Sequence, residues 1–392
     1  TGNWKTWSTT YNPFKGGERK GMAGKLREIS VWDDGTGTGE RFFCMTAEPG
    51  GSFEEELHSL MDRYRESGGD GGDEFLLRFH VSDPARQSEL LSRVVKGRRS
   101  YVSIVGQPPA NGSRVALEAW HLGGMLGKSK EETEEGTVLV ARRKHYRLFL
   151  AGRRTAAVCG SHDQMQEEFR WLDRVAAAQG GTVPALVHRT WIYCRDIDNN
   201  YRGLVEGRNE SFDRYGLSPE NHYIASTGIE GCTETPGRLL HMDSLGIAGL
   251  KQGQVRYMEA PDYLSPTHLY RVAFERGARI VYGDRSHYFI SGTASIDAAG
   301  NIVHPGNVKR QTVRTLENMR ALMERSGGSL SHLKQAVVYL RDWADRDVVE
   351  CALMDSPLAH VPHLLLKAPV CRPGWLVEID GIAVNGAGDS SF

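Results

Sequence analysis

The chain has 392 residues, with 48 Lys and Arg against 49 Asp and Glu, a net charge of −1, and 40% hydrophobic residues. That balance excludes the basic footprint of a nucleic-acid binder and fits a globular protein long enough for two to four domains. No run of about 18 apolar residues and no signal-peptide core occurs, and the six cysteines form no C-x-x-C pair, so a reduced cytoplasmic protein without a metal, cofactor or membrane partner is expected.

Gly35-Thr-Gly37-Thr-Gly39 reads as a hairpin loop, followed by a strand from Arg41 to Ala47. A helix carries Phe53, Leu57, Leu60 and Tyr64 on one face and stops at Gly68-Gly69. A strand ending at Ser82-Asp83, a short helix over 85–94 and strands near 100–106 and 114–121 complete the segment. The basic clusters Lys96-Gly97-Arg98-Arg99 and Arg142-Arg143-Lys144 have acidic residues nearby and read as solvated loops.

The middle of the chain repeats the order. A helix carries Met165, Phe169, Leu172 and Val175 and stops at Gly180-Gly181, and a strand from Arg189 to Arg195 ends at Asp196. The third passage has a strand from His287 to Ile296 and a turn at Asp297-Ala298-Ala299-Gly300. A helix then carries Val313, Leu316, Met319 and Met323, Gly327-Gly328 stops it, and Leu333–Leu340 is a strand. A helix over 345–354 and strands near 361–371 and 375–384 close it.

These passages read as copies of one unit. Gly68 and Gly327, Gly69 and Gly328, and Asp83 and Asp342 all lie 259 residues apart, and Glu118 and Glu378 lie 260 apart, which pairs those two glutamates. Each unit is expected to be α+β, β-β-α-β-α-β-β, a mixed sheet with two helices on one face. The expected boundaries are 1–125, 126–260 and 261–392, with linkers at Gly123–Gly136 and Gly249–Pro266.

Four segments of the last unit, Tyr288–Thr293, Gln311–Asn318, Gly327-Gly328 and Leu376–Ala383, resemble the Rid (YjgF/L-PSP) superfamily. The resemblance implies small α+β subunits that assemble as trimers with a cleft at each interface. Three linked units would then form an intramolecular pseudo-trimer and a monomer. Ala225–Ile229, Ser291–Ile296 and the closing Cys371-Arg372-Pro-x-x-Leu-Val-Glu378 are similar to chorismatases, over roughly 185–384, which makes the N-terminal unit an addition.

Glu378 lies among Trp375, Leu376, Val377, Ile379 and Ile382, where desolvation would raise its pKa toward that of a general acid. The matching glutamate of chorismatases resembles a proton donor to substrate, and that of Rid deaminases a holder of water. Glu118 sits in a unit that lacks the Ser-Gly-Thr-Ala-Ser run and reads as structural. Gly292-Thr293 and Thr227-Gly228 could bring backbone and hydroxyl to a ligand, or could be turns. Arg208, Arg271, Arg341 and Arg372 are the candidate holders of a carboxylate substrate, and Lys367 could line the same cleft or snorkel. Rid deaminases carry an arginine near the start of the penultimate strand, where this chain has Val361-Pro-His-Leu364, which argues against ordinary imino-acid deamination. Three functions remain open: a chorismatase-like hydrolase or lyase, another Rid-type enzyme on an imine, enamine or small carboxylate, and a non-catalytic binding or assembly module.

Overall fold

A computed structural model describes residues 27–33, 35–154, 159–267 and 272–392. The first unit has strands β1 (Ile29–Trp32), β2 (Glu40–Thr46), β3 (Glu74–Val81), β4 (Tyr101–Gly106) and β5 (Val115–Leu122), with helices α1 (Phe53–Glu66) and α2 (Pro84–Val94). Its sheet order is β1-β2-β5-β3-β4, with β3 and β4 parallel. The second unit has β6 (Gly127–Glu132), β7 (Gly136–Arg142), β8 (Arg147–Arg153), β9 (Val187–Cys194), β10 (Ala225–Glu230) and β11 (Leu240–Ala248), ordered β10-β9-β11-β8-β7-β6. Its helices are α3 (Ser161–Ala178), α4 (Val183–Leu186) and α5 (Ile197–Tyr215). The third has β12 (Val255–Tyr257), β13 (Gly277–Val281), β14 (Ser286–Ala294), β15 (Leu333–Leu340), β16 (His363–Lys367) and β17 (Val377–Asn385), ordered β12-β13-β14-β17-β15-β16, with α6 (Val308–Arg325) and α7 (Arg346–Met354).

The repeat is visible in backbone detail. Gly68, Gly180 and Gly327 all have φ between +78° and +85°, the left-handed turn that ends a helix and that glycine adopts without strain. After each, the next amide reaches back to the last helical turn: Gly69 to Tyr64, Gly181 to Ala176 and Gly328 to Met323. The equivalent helix positions Leu60, Leu172 and Met319 are fully buried. The segment Gly123–Gly136, expected as a linker, instead contains β6, paired with β7. Backbone hydrogen bonds, not apolar burial, hold this strand. Its Lys and Glu side chains give the sheet a charged edge, which discourages pairing with another chain. Gly249–Pro266 likewise contains β12.

Helices cover one face of each sheet, and the other faces meet. Every residue of β3 and β9 is buried, because each strand has helices on one side and neighbouring units on the other. One apolar cluster takes Phe42 and Trp120 from the first unit, Trp191 and Leu245 from the second, and Phe289 and Ile379 from the third. Short backbone bridges tie each pair of units: Gly106 to Cys232, Pro109 to Leu366 and Ile229 to Val370. The chain is therefore a pseudo-trimer of three α+β units.

Strand register corrects the pairing of Glu118 with Glu378. Each unit has a bulge in the ladder between its two central antiparallel strands, where Trp120, Leu245 and Ile382 occupy the same place opposite Leu76, Arg189 and Gln335. Two residues before them stand Glu118, Asp243 and Asp380. The counterpart of Glu118 is thus Asp380, 262 residues on. The third unit has a longer connection between Asp342 and β17 than the first has between Asp83 and β5, so a constant offset fails there.

These three carboxylates gather where the sheets meet. Arg78 donates to Asp243 at 3.0 Å and to Glu118 at 2.9 Å. Gln335 donates to Glu118 at 2.7 Å, Tyr101 to Asp243 at 2.7 Å and Arg189 to Asp380 at 2.8 Å. The Arg78 and Arg189 guanidiniums lie 4.5 and 4.7 Å from the Trp191 ring. Every one of these pairs except Arg78–Glu118 and Arg189–Trp191 crosses a unit boundary, so the network sets the rotation of one unit against the next.

Candidate active site

The place two residues before the central carboxylate is held by Ala116 in the first unit, His241 in the second and Glu378 in the third. Among these three positions only the last carries a carboxyl. It opens on a cleft between the second and third units, lined by Tyr201, Arg208, Ser226 and Gly228 on one side. Phe274, Arg276, Gly292, Cys371, Arg372, Trp375 and Glu378 form the other side. The cavity is about 40 Å³, room for a few waters.

Glu378 points from β17, a strand buried over nearly its whole length, and is 6% exposed. Burial pushes its carboxyl up to about 8, and the charge of Asp380 adds to the rise, while Arg189 and Arg276 oppose it. At neutral pH the carboxyl therefore holds its proton. The Cys371 thiol is pushed up to about 12, first by burial and then by Glu378. Tyr201 is likewise driven well above its ordinary value by burial. Cys371 and Tyr201, which share the cleft with Glu378, are thus neutral at pH 7.

The space for Glu378 comes from a bulge in β14, where Ser291 and Gly292 together face Asp380 between the pairs Ile290–Gly381 and Thr293–Ile379. A Cβ on Gly292 would lie 2.2 Å from Oε1 of Glu378. The Gly292 amide donates to Thr227 Oγ1 at 3.0 Å, and that hydroxyl donates to Asp380 at 2.7 Å. Ser291 accepts from the Ser226 amide at 2.9 Å and donates to the Glu275 carbonyl at 2.6 Å. Hydrogen bonds thus stitch β10 to β14 and hold the two walls in register. Gly292→Ala is expected to displace the carboxyl and lower turnover about 10-fold, with little change in the melting transition; steady-state rates beside thermal unfolding check this.

Three arginines reach the cleft. Arg208 and Arg276 lie 5.9 and 5.2 Å from the Phe274 ring, and Arg276 also donates to the Ser265 carbonyl at 2.7 Å. Arg372 lies 4.9 Å from the Trp375 ring. Stacking on an aromatic face fixes the plane of a guanidinium, the group whose paired donors match a carboxylate.

Of the residues singled out in the sequence, Glu378, Gly292, Gly228, Arg208 and Arg372 come together here. Thr227 stands behind them as the link to Asp380. Thr293 is not on the cleft wall: it is fully buried beyond the bulge, and its hydroxyl donates to the Ser291 carbonyl at 2.9 Å. Arg341 does not line the cleft either, because Asp198 holds it in a two-point pair at 2.9 and 3.0 Å. Lys367 also lies off the cleft, on β16 near Glu230. Arg271 is outside the described residues. Arg276 and Tyr201 were missed, since neither sits in a motif. The alternation of Phe274 and Arg276 just before β13 was the available signal.

Residues 279–385 match the family described as Endoribonuclease L-PSP, a span that includes Gly292, Asp380 and Glu378. Among solved structures the chain is similar to a chorismatase, with 21% identity over 87% of this chain and 98% of that one and a TM-score of 0.64. It is also similar to RidA from the Antarctic bacterium Psychrobacter, at 21% identity over 33% of this chain and 98% of that one, with a TM-score of 0.27. A YjgF-family protein of Neisseria meningitidis matches at 22% identity over 33% of this chain and 94% of that one, with a TM-score of 0.25. The chorismatase alignment takes in more of this chain than its last two units could supply, so the N-terminal unit is part of the shared fold and not an addition. The last unit thus carries the match to the L-PSP family, and the chain as a whole shares its tandem fold with a chorismatase.

Proposed function

We propose that the chain is a chorismatase-like hydrolase or lyase acting on a small cyclic carboxylate that carries an enol ether. The observation that carries this reading is Glu378, a buried carboxyl held protonated near neutral pH in one cleft with three arginines. Arg208, Arg276 and Arg372 would take the substrate carboxylates as bidentate partners. Glu378 would give its proton to the terminal carbon of the enol ether. The resulting oxocarbenium ion would take up water, returning one proton to Glu378, and the hemiketal would break its bond to the ring oxygen to give pyruvate and the cyclic alcohol. One water is consumed, and no cofactor enters the balance.

Incubation with chorismate, with pyruvate followed by a coupled dehydrogenase, tests this. The expected result is pyruvate release that Glu378→Gln lowers by about 100-fold or more. Release no faster than in that variant would sink the reading. The small cavity supports a second reading, a Rid-type hydrolysis of a smaller imine, enamine or carboxylate. Ammonia release from small imino acids, with no pyruvate from chorismate, would favour it.

The assembly belongs to the same reading. With the open sheet faces used within one chain, a monomer of 43.5 kDa is expected in light scattering, and a homotrimer built through those faces would contradict it. Unit boundaries near 125 and 260 and a cytoplasmic location are also part of the proposal.

A further inference from the structure

The interface between the first and second units holds a larger cavity, about 530 Å³. Ser88, Lys96, Arg98, Tyr101 and Ser103 of the first unit face Lys130, Thr137, Arg153, Thr233, Arg238 and His241 of the second across it. We propose that this cleft is a second ligand site, for a small polyanion bearing several carboxylate or phosphate oxygens.

Charge is the first argument. Six cationic residues, Lys96, Arg98, Lys130, Arg153, Arg154 and Arg238, line the cavity against Glu132 and Glu234. Glu132 is shared by Lys130 and Arg154, and Arg98 is held by Asp70 and Glu74. Arg153 and Arg238 approach Glu167 and Glu168 only at 3.5 Å, and neither acid lines the cavity. A positive surplus is left facing the space, from Lys96 at the rim and Arg153 within.

Unused hydrogen-bonding capacity is the second. Arg153 Nε, Thr137 Oγ1, Thr233 Oγ1 and Ser88 Oγ are buried with no hydrogen-bond partner among the described residues. All four residues are less than one tenth exposed, and all line this cavity. Buried polar atoms are rarely left so, and an anion with several oxygens would satisfy the arginine and hydroxyl donors together.

The cleft is built for binding and not for acid catalysis, because His241 stands where the other cleft has Glu378. Ser103, His241 and Asp243 resemble a nucleophile triad in composition, yet the wiring is reversed. Arg238 lies 2.9 Å from His241 Nδ1 and can only donate, so Nδ1 accepts and Nε2 carries the hydrogen. That Nε2 faces Asp243 at 3.1 Å and Ser103 at 3.2 Å, and cannot take the serine proton.

Titration calorimetry on the whole chain with citrate, pyrophosphate and glucose tests the site. The expected result is saturable one-to-one binding of citrate or pyrophosphate, weakened by salt, with none of glucose. Citrate alone would mark a carboxylate site and pyrophosphate alone a phosphate site. Binding should persist in Arg208→Met, which disables the other cleft, and weaken about 10-fold in Arg153→Met. Lys96→Glu, a change at an exposed rim residue that leaves the core intact, should weaken it as well. No saturable binding of either anion, or binding that Lys96→Glu leaves unchanged, would overturn the proposal.

Discussion

Glu378→Gln is expected to lower pyruvate release by about 100-fold or more, the scale of losing a general acid. Glutamine keeps the size and one face of hydrogen bonding but has no proton to give. The wild-type rate should hold at neutral pH and fall as pH rises through about 8, where the carboxyl ionises. Stability should move the same way. The folded value lies above the ordinary 4.5, so the contribution of Glu378 is fully present below the unfolded value and is lost as pH rises through the folded one. Thermal unfolding at pH 5 and pH 9 should therefore show a loss at pH 9 that Glu378→Gln reduces. A variant with near-normal turnover would mean that the proton comes from elsewhere.

Arg78→Met is expected to cost about 3–5 kcal/mol of stability, the range for removing one partner of a buried ion pair. Arg78 is 1% exposed and pairs with Glu118 of its own unit and Asp243 of the next. Burial alone would push both acids up, yet Arg78 with His80 holds Glu118 down at about 2, and His241 with Arg78 holds Asp243 below the usual range. Methionine fills much of the volume but leaves two carboxylates facing each other without their shared cation. Denaturant unfolding measures the loss, and a wild-type midpoint would show that the axial network is not coupled to folding. Glu118→Gln should be milder, since Gln335 can still bond to it, and should leave turnover nearly unchanged because Glu118 lies outside the Glu378 cleft.

The three-unit architecture was legible in the chain because its signals are local. A glycine after an amphipathic helix reports a left-handed turn wherever the helix packs, and Gly68, Gly180 and Gly327 do so three times. Leu60, Leu172 and Met319 report the face that meets a sheet. Glu378 stood out because an acid in an apolar strand is conspicuous by composition alone. The partners of that acid were not legible. Register decided that Glu118 matches Asp380, and a few extra residues in one connection are enough to break a constant offset. Arg276 and Tyr201 reach Glu378 from segments far off in the chain, and Asp198 removes Arg341 from the cleft by a contact between units. Lys96 and Arg98, which read as parts of a solvated loop, border a cavity that exists only because two sheets are packed together. Periodicity carries the backbone path, since neighbours in sequence fix it. Which side chains share a site depends on how three sheets turn toward one axis, and that geometry is set by contacts between units.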